Sequence, residues 1–519
     1  MQTTFVRDAG ATTPEGCTSA SDVMQAGAYR VTGDLAGGRR PVRRTLWVPL
    51  IPAAFMLMVG LWGITRQNTM WRDEAATWQA SRRSIPEIWH LLSHVDVVHG
   101  LYYLLMHGVF ALLGEILVSL RLPSVVAMAL ASVITAKIGM RLRGATAGLC
   151  AGLALALLPA VQHYAQEGRS YALVAAGVAY ATWLLTGLLC PTGSNSWLRW
   201  GLYTATIGCT AWLNWFALLF LPAHAVALCC VRPGRAVVLR WSLCSAVALA
   251  GTSPLILFSR GQSAQVSWIG PLTPGALTGP ALLIAVGALC ALFDGKRRPA
   301  VSGISPRALA LPLLVIPQVV LLAVSVAKPL YIDRYILFSH LGLALLIGVA
   351  AARVHRSVAR PWLTVAVGVV ALGSVGLPAE RRERGPESRV DDVIAPAHVV
   401  ADTAHAGDGV LFIPAARRDT ALVSPEKFSG LDDLALLESP AASGTLKGIE
   451  KTPECISLAI AHHRRIILVT DLRSSLTADQ DRAKQDALDR YFVQVSDTPA
   501  QGRRVAVYER RQAPARSAL

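Results

Sequence analysis

The chain has 519 residues, of which 53% are hydrophobic and 16% charged, where soluble domains carry roughly 25% charged residues. Mean hydropathy is +0.44 and the formal charge is +16. The apolar excess lies in long runs, among them 46–64, 147–161 and 308–326, which excludes a soluble globular domain, a disordered chain and a small secreted scaffold. The basic residues sit in short clusters between those runs, as membrane orientation requires, and do not form an Arg-aromatic stripe for nucleic acid. Of the nine cysteines, Cys150, Cys190, Cys209, Cys229, Cys230, Cys244 and Cys290 lie in apolar runs as small buried hydrophobes, and Cys455 stands alone in a polar region, so no disulfide framework is expected.

Residues 1–44 are polar and end in Arg39, Arg40, Arg43 and Arg44. They are expected to form a cytoplasmic, disordered tail ahead of a signal anchor at about 45–65. From Arg66 to about Arg121 the chain holds Asp73, Glu74, Glu87, Asp96, Glu115 and four histidines. Its apolar stretch 101–113 is too short to cross a bilayer, so the whole segment reads as one long outer loop with interfacial helices. Further spans are expected at about 122–140, 145–165, 171–190, 197–213, 214–230, 236–258, 275–292, 308–328, 335–352 and 361–378, about eleven in all. Arg141/Arg143, Arg199, Arg232/Arg235, Lys296/Arg297/Arg298/Arg307 and Arg353/Arg356/Arg360 mark the inner connections. An odd number of spans leaves residues 381–519 outside. Short apolar runs at 409–413, 466–470 and 505–508 alternate with helical patterns at 390–404, 456–463 and 478–491, which predicts a small α/β domain.

Four polar clusters fall on the expected outer face, where charged groups near membrane depth are costly. The first is Trp71-Arg72-Asp73-Glu74. Adjacent carboxylates at an interface suit general-base work, because partial desolvation makes a carboxylate more basic; the alternative is a solvated loop end. The second is His94-Val-Asp96-Val-Val-His99, followed by Tyr102 and Tyr103. It reads as a helix cap or acceptor pocket, and the alternative of a metal set lacks a standard zinc spacing. The third is Tyr164-Ala-Gln-Glu167-Gly-Arg169-Ser-Tyr171, either a local ion pair or a carboxylate and a guanidinium offered to a substrate. The fourth is Lys328-Pro-Leu-Tyr331-Ile-Asp333-Arg334-Tyr335, where Arg334 and Lys328 either clamp a lipid phosphate or snorkel to the interface.

In their order and spacing, Asp73-Glu74, His94-x-Asp96-x-x-His99-x-x-Tyr102-Tyr103, Arg121-Leu-Pro-Ser124, Tyr164-x-Gln-Glu167-x-Arg169-x-Tyr171 and Arg334-Tyr335 resemble the multispan C-fold (GT-C) glycosyltransferases. The relatives are protein O-mannosyltransferases, aminoarabinose transferases of lipid A, and actinobacterial family-39-like members. The resemblance covers about 45–380, and relatives often carry His-Pro-Pro where this chain has His99-Gly-Leu. It implies an all-α transmembrane glycosyltransferase module with a polyprenyl-phosphate sugar donor and a lipid, glycan or protein hydroxyl as acceptor. A first-loop carboxylate acts as the base of an inverting transfer. Mapped residue by residue, Asp73 resembles that base, Glu74 its runner-up or partner, Glu167 and Arg169 the residues that organise acceptor and donor, and Arg334 the phosphate-binding arginine. His94, Asp96, His99, Tyr102, Tyr171 and Lys328 complete the expected substrate site. The resemblance implies mannose or arabinose as the sugar. Metal use varies within the fold, so a divalent cation remains possible, although no Asp-x-Asp is present. The rival reading is a transporter or flippase of a lipid-linked envelope precursor, against which stand the missing internal repeats and the one-sided acidic residues. A third is a partner-binding membrane protein acting through its outer domain.

Overall fold

The computed structural model describes residues 47–190, 196–294, 304–357, 377–473 and 476–511. The expected tail 1–44, positions 361–376 of the expected span 361–378, the basic Lys296, Arg297, Arg298 and Arg360, and the end of the chain from Gln512 lie outside them.

The first helix, α1 (Trp47–Leu61), is followed by three shorter ones in the expected loop: α2 (Arg72–Ser81), α3 (Ile85–His94) and α4 (Gly100–Leu113). Ser84 and Glu87 form a reciprocal capping box that starts α3. The bundle continues through α5 (Leu117–Arg143), α6 (Ala145–Leu157), α7 (Pro159–Ala165), α8 (Tyr171–Leu188), α9 (Trp197–Leu213), α10 (Phe220–Val231), α11 (Arg235–Gly261), α12 (Pro274–Leu292), α13 (Pro306–Ala327) and α14 (His340–Ser357). Among the described residues six helices are long and apolar enough to cross a membrane, so the protein is polytopic.

The remaining expected spans are modified. The run 145–165 is not one helix: α6 and α7 meet at a bend of 64°. Leu158 precedes Pro159 and is extended (φ −67, ψ 126), because the proline ring disfavours a helical residue before it. The run 214–230 is a 3-10 turn, Trp215–Leu219, plus the short α10. α5 starts five residues before the expected 122, so Arg121 lies inside a helix and is fully buried. α14 is preceded by a 3-10 segment, Asp333–Ser339.

Residues 394–511 build a mixed sheet in the order β2-β1-β5-β7-β6. Its strands are β1 (Gly409–Ile413), β2 (Asp432–Asp433), β5 (Arg465–Asp471), β6 (Phe492–Ala500) and β7 (Arg503–Arg510), beside a small hairpin of β3 (Leu436–Glu438) and β4 (Ile449–Glu450). β1 and β5 run parallel, and β7 and β6 add antiparallel. Alternation along β1 divides the core: Leu411 and Ile413 pack with Ile456 and Leu488, and Val410 and Phe412 with Ala397 and Val400. The domain is the expected α/β unit, with β6 as an additional edge strand.

This domain and the interfacial helices share one apolar core. Val393, Ile394, Val423 and Leu446 pack with Met70, Trp78, Leu91, Tyr102 and Phe110. At the far end of α5, Arg143 pairs with Asp294 at 2.5 Å and Arg307 approaches the same carboxylate at 3.7 Å. With 1.5 Å of rise per residue, that cluster is roughly 33 Å along α5 from Arg121.

Candidate functional site

Four of the elements just described converge on one cavity: the start of α2, the turn before α4, the start of α8 and the segment before α14. Its volume is about 800 Å³. Asp73, Asp96, His99, Arg169, Tyr171, Lys328 and Arg334 all line it, joined by Arg260, Trp268, Tyr335 and, from the C-terminal domain, Ala416, Leu446 and Lys447. Five cationic side chains face two carboxylates.

Asp73 is the second residue of α2. Its Oδ2 is 3.0 Å from an Nη2 of Arg334, in a pair whose side chains are 20% and 11% exposed. The guanidinium of Arg334 lies 5.5 Å from the Trp71 ring, 5.6 Å from Tyr171 and 5.9 Å from Trp268, an aromatic cage suited to a delocalised cation. The Asp333 carboxylate fixes the local backbone, accepting from the Arg334 amide at 2.8 Å and from the Tyr164 hydroxyl at 3.0 Å.

A second group forms around Arg169, which is 7% exposed. Its Nη2 donates to His99 Nε2 at 3.1 Å, so that nitrogen acts as acceptor and the ring is neutral. Burial, then the charges of Arg169 and Arg334, hold the His99 pKa well below the usual imidazole range. The Tyr103 hydroxyl donates to Asp96 Oδ2 at 2.7 Å. Asp96 has left-handed backbone (φ 59), which aspartate tolerates better than most residues. Desolvation raises its pKa against the pull of Arg169.

Other expected site residues stand elsewhere. Glu74 is fully buried. It accepts from Arg66 at 2.6 Å, from Arg121 at 2.7 and 2.8 Å, and from the Gly168 amide at 3.0 Å. Burial alone would raise its pKa, but Arg121 and Arg66 bring it down to about 2. It contributes nothing to the cavity wall. Glu167 is 1% exposed, and neither carboxylate oxygen has a hydrogen-bond partner; burial raises its pKa against Arg389 and Arg334. Tyr102 is buried in the interfacial core. His94 lies on an exposed face of α3, its Nδ1 bonded to the His90 carbonyl at 2.9 Å, so His94, Asp96 and His99 do not converge. Among the described residues no group of three or more His, Cys, Asp or Glu side chains is placed to hold a metal.

Several wall residues carried little sequence signal. Arg260 marks only the end of an apolar run. Trp268, Leu446 and Lys447 reach the cavity only through the tertiary fold.

No protein-family model matches the chain, and no curated protein matches it. Solved structures do. ArnT from Cupriavidus metallidurans bound to undecaprenyl phosphate is similar with a TM-score of 0.55 at 14% identity, covering 88% of this chain and 97% of that one. The apo state of ArnT gives 0.54 at 14% identity, over 90% and 98%. The archaeal oligosaccharyltransferase AglB from Archaeoglobus fulgidus, in complex with an inhibitory peptide and a dolichol-phosphate, gives 0.48 at 10% identity, over 92% and 76%. The likeness to ArnT runs through membrane bundle and C-terminal domain alike, and the fold is that of the multispan C-fold glycosyltransferases.

Proposed function

We propose that the protein is a membrane glycosyltransferase that moves a sugar from a polyprenyl-phosphate donor to a hydroxyl acceptor, with inversion, on the outer face of the plasma membrane. The N-terminus is cytoplasmic in this reading. The observation that carries it is the Asp73–Arg334 pair, 3.0 Å apart in the wall of the cavity. Without donor the two charges compensate each other. A donor phosphate competes for Arg334, whose planar guanidinium suits two phosphate oxygens at once, and Asp73 is released as a base. Asp73 then takes the proton of the acceptor hydroxyl as its oxygen attacks the anomeric carbon. The bond from that carbon to the phosphate oxygen breaks, and the lipid phosphate leaves with the electron pair toward Arg334 and Lys328. Two carboxylates one residue apart thus take separate roles, Asp73 as base and Glu74 as the buried counter-ion of Arg66 and Arg121.

The lipid phosphate follows ArnT, whose structure is bound to undecaprenyl phosphate. A mannose- or arabinose-like sugar rests on the motif resemblance. The test combines two measurements on purified protein in lipid nanodiscs. Release of undecaprenyl phosphate is followed from undecaprenyl-phosphate mannose or arabinose, with envelope extract of a deletion strain as acceptor, and undecaprenyl phosphate binding is measured separately. Transfer that is lost in Asp73→Asn while binding persists supports the reading. Transfer unchanged in that variant removes Asp73 as the base, and binding without any transfer by the wild type sinks the reading and favours a carrier of lipid-linked precursors.

A further inference from the structure

The helix that carries Asp73 starts without a cap of its own. Its N-cap residue, Trp71, offers no side-chain hydrogen bond to the first turn, whose amide groups would otherwise lack partners. An acceptor for that turn, and one for the residue ahead of it, come from the linker that opens the C-terminal domain, more than three hundred residues away. Asp391 Oδ1 accepts from the Arg72 amide at 3.3 Å, and its Oδ2 pairs with Arg72 Nε at 3.2 Å. Asp392 Oδ1 accepts from the Met70 amide at 2.9 Å, and the Val393 amide donates to the Met70 carbonyl at 2.6 Å. Met70, Trp71 and Arg72 are the three residues before Asp73, and Trp71 also carries Arg334 on its ring.

The staple is itself fixed from the sheet. Arg503, fully buried on β7, donates to Asp391 Oδ2 at 3.0 Å, to Asp419 at 2.5 Å and to Thr420 at 2.7 Å. Asp392 also receives the amides of Ile394 and Ala395 at 3.0 and 3.1 Å, so one carboxylate starts the domain's first helix and holds the chain ahead of the active helix.

We infer that Asp391 is a positioning residue for Asp73, acting as a cap in trans, and that through it the C-terminal domain is a working part of the transfer site. This rests on the transferase reading above. A base must stay within hydrogen-bond reach of the hydroxyl it deprotonates, and a small misplacement is costly. Undecaprenyl phosphate meets Arg334 and Lys328; Asp391 bonds to neither, and Arg334 keeps its contacts with Tyr171 and Trp268 when the staple is cut. Loss of the cap therefore lowers turnover and spares lipid-phosphate binding.

The full chain in nanodiscs provides the test. Asp391→Ala is expected to lower transfer at least tenfold with the Kd for undecaprenyl phosphate within threefold of wild type. Asp391→Asn keeps an oxygen for the Arg72 amide and is expected to recover most of that loss. Arg504→Ala, which removes a half-exposed pair with Asp497 on the neighbouring residue, leaves transfer unchanged. In an Asp73→Asn background, Asp391→Ala adds less than twofold, because it acts through Asp73. Wild-type transfer in Asp391→Ala, or an equally large loss in both backgrounds, overturns the inference. Should Asp391→Ala not fold, Val393→Pro decides. It removes the hydrogen bond to Met70 at a residue with φ −86, close to proline's own. Reduced turnover with retained binding supports the staple, and unaltered transfer overturns it. Failure of the transferase reading shows differently, as wild-type protein that binds undecaprenyl phosphate and transfers no sugar.

Discussion

Asp73 and Glu74 are neighbours in sequence and opposites in circumstance. Successive helical residues point about 100° apart, so one side chain of the pair reaches the cavity and the other enters the core between Arg66 and Arg121. The sequence marks both as costly near a membrane and cannot rank them, because the ranking depends on two arginines that arrive from either side. Asp73→Asn is expected to cut turnover by about 10²–10⁴-fold, the range of general-base catalysis, with binding of undecaprenyl phosphate retained. Glu74→Gln is expected to act on stability, destabilising by about 3–5 kcal/mol because it leaves two buried cations uncompensated. The folded pKa of Glu74, about 2, lies below its unfolded value. Its stabilisation is therefore full above roughly pH 5 and is lost as pH falls towards 2. Thermal unfolding of wild type and Glu74→Gln should converge over that window. Glu167 has the opposite sign. Its raised pKa, caused first by burial, means the ionised form weakens the fold at neutral pH, so Glu167→Gln should melt at or above the wild-type temperature at pH 7, with the difference shrinking on acidification. Arg334→Lys keeps charge but not the bidentate geometry, and the donor KM should rise about tenfold or more, equivalent to about 1.4 kcal/mol. An unchanged KM in both Arg334→Lys and Arg334→Ala reduces Arg334 to an interface anchor.

At the scale of elements, periodicity carried well where a segment packs in a regular way. β1 has the expected bounds, and the helices Pro453–Ala461 and Asp479–Tyr491 fall close to theirs. β6 escaped because its pattern is that of a solvent-facing edge, with alternating exposure and Pro499 inside it. The bend after α6 escaped because hydropathy runs straight through Pro159, although the proline itself announces it. Helix packing in the bundle depends on small residues, which a hydropathy profile scores only weakly. A Cβ on Gly348 of α14 would stand 2.6 Å from the backbone nitrogen of Ala151 on α6 and 2.7 Å from the Ala147 carbonyl. Such close approach is what small residues permit between membrane helices. Gly348→Ala should therefore force α6 and α14 apart and destabilise by about 1–3 kcal/mol, the usual cost of overpacking. Gly201→Ala meets nothing within 4 Å, and there the loss of glycine's helix penalty should stabilise by about 0.5–1 kcal/mol. Melting temperatures in detergent that move the same way for both variants would show that the contact between α6 and α14 does not limit stability.

For the whole molecule, composition alone dictated a membrane bundle with a polar domain, but not that the two share a core and a cavity. That follows from contacts at very large sequence separation: Leu446 packing with Leu91 and Tyr102, Lys447 lining the cavity, and Asp392 holding Met70. No local pattern announces these, because each partner residue is ordinary in its own neighbourhood. The contacts make sidedness a single question, since the C-terminal domain and the cavity must lie on the same face of the membrane. The Arg143–Asp294–Arg307 cluster at the far end of α5 marks the other face. In the proposed orientation, which follows the positive-inside pattern, that basic end faces the cytoplasm and domain and cavity face outward, toward a lipid-phosphate sugar of the outer leaflet. Cys455 is exposed on the C-terminal domain, whereas Cys209, Cys229 and Cys230 lie on the apolar helices α9 and α10. A chain retaining only Cys455 should react with a membrane-impermeant maleimide in intact cells, as fast as after permeabilisation. Protection that is lifted only by permeabilisation would turn domain and cavity together to the cytoplasm. An external acceptor would then be out of reach, even if Asp73→Asn still abolished transfer.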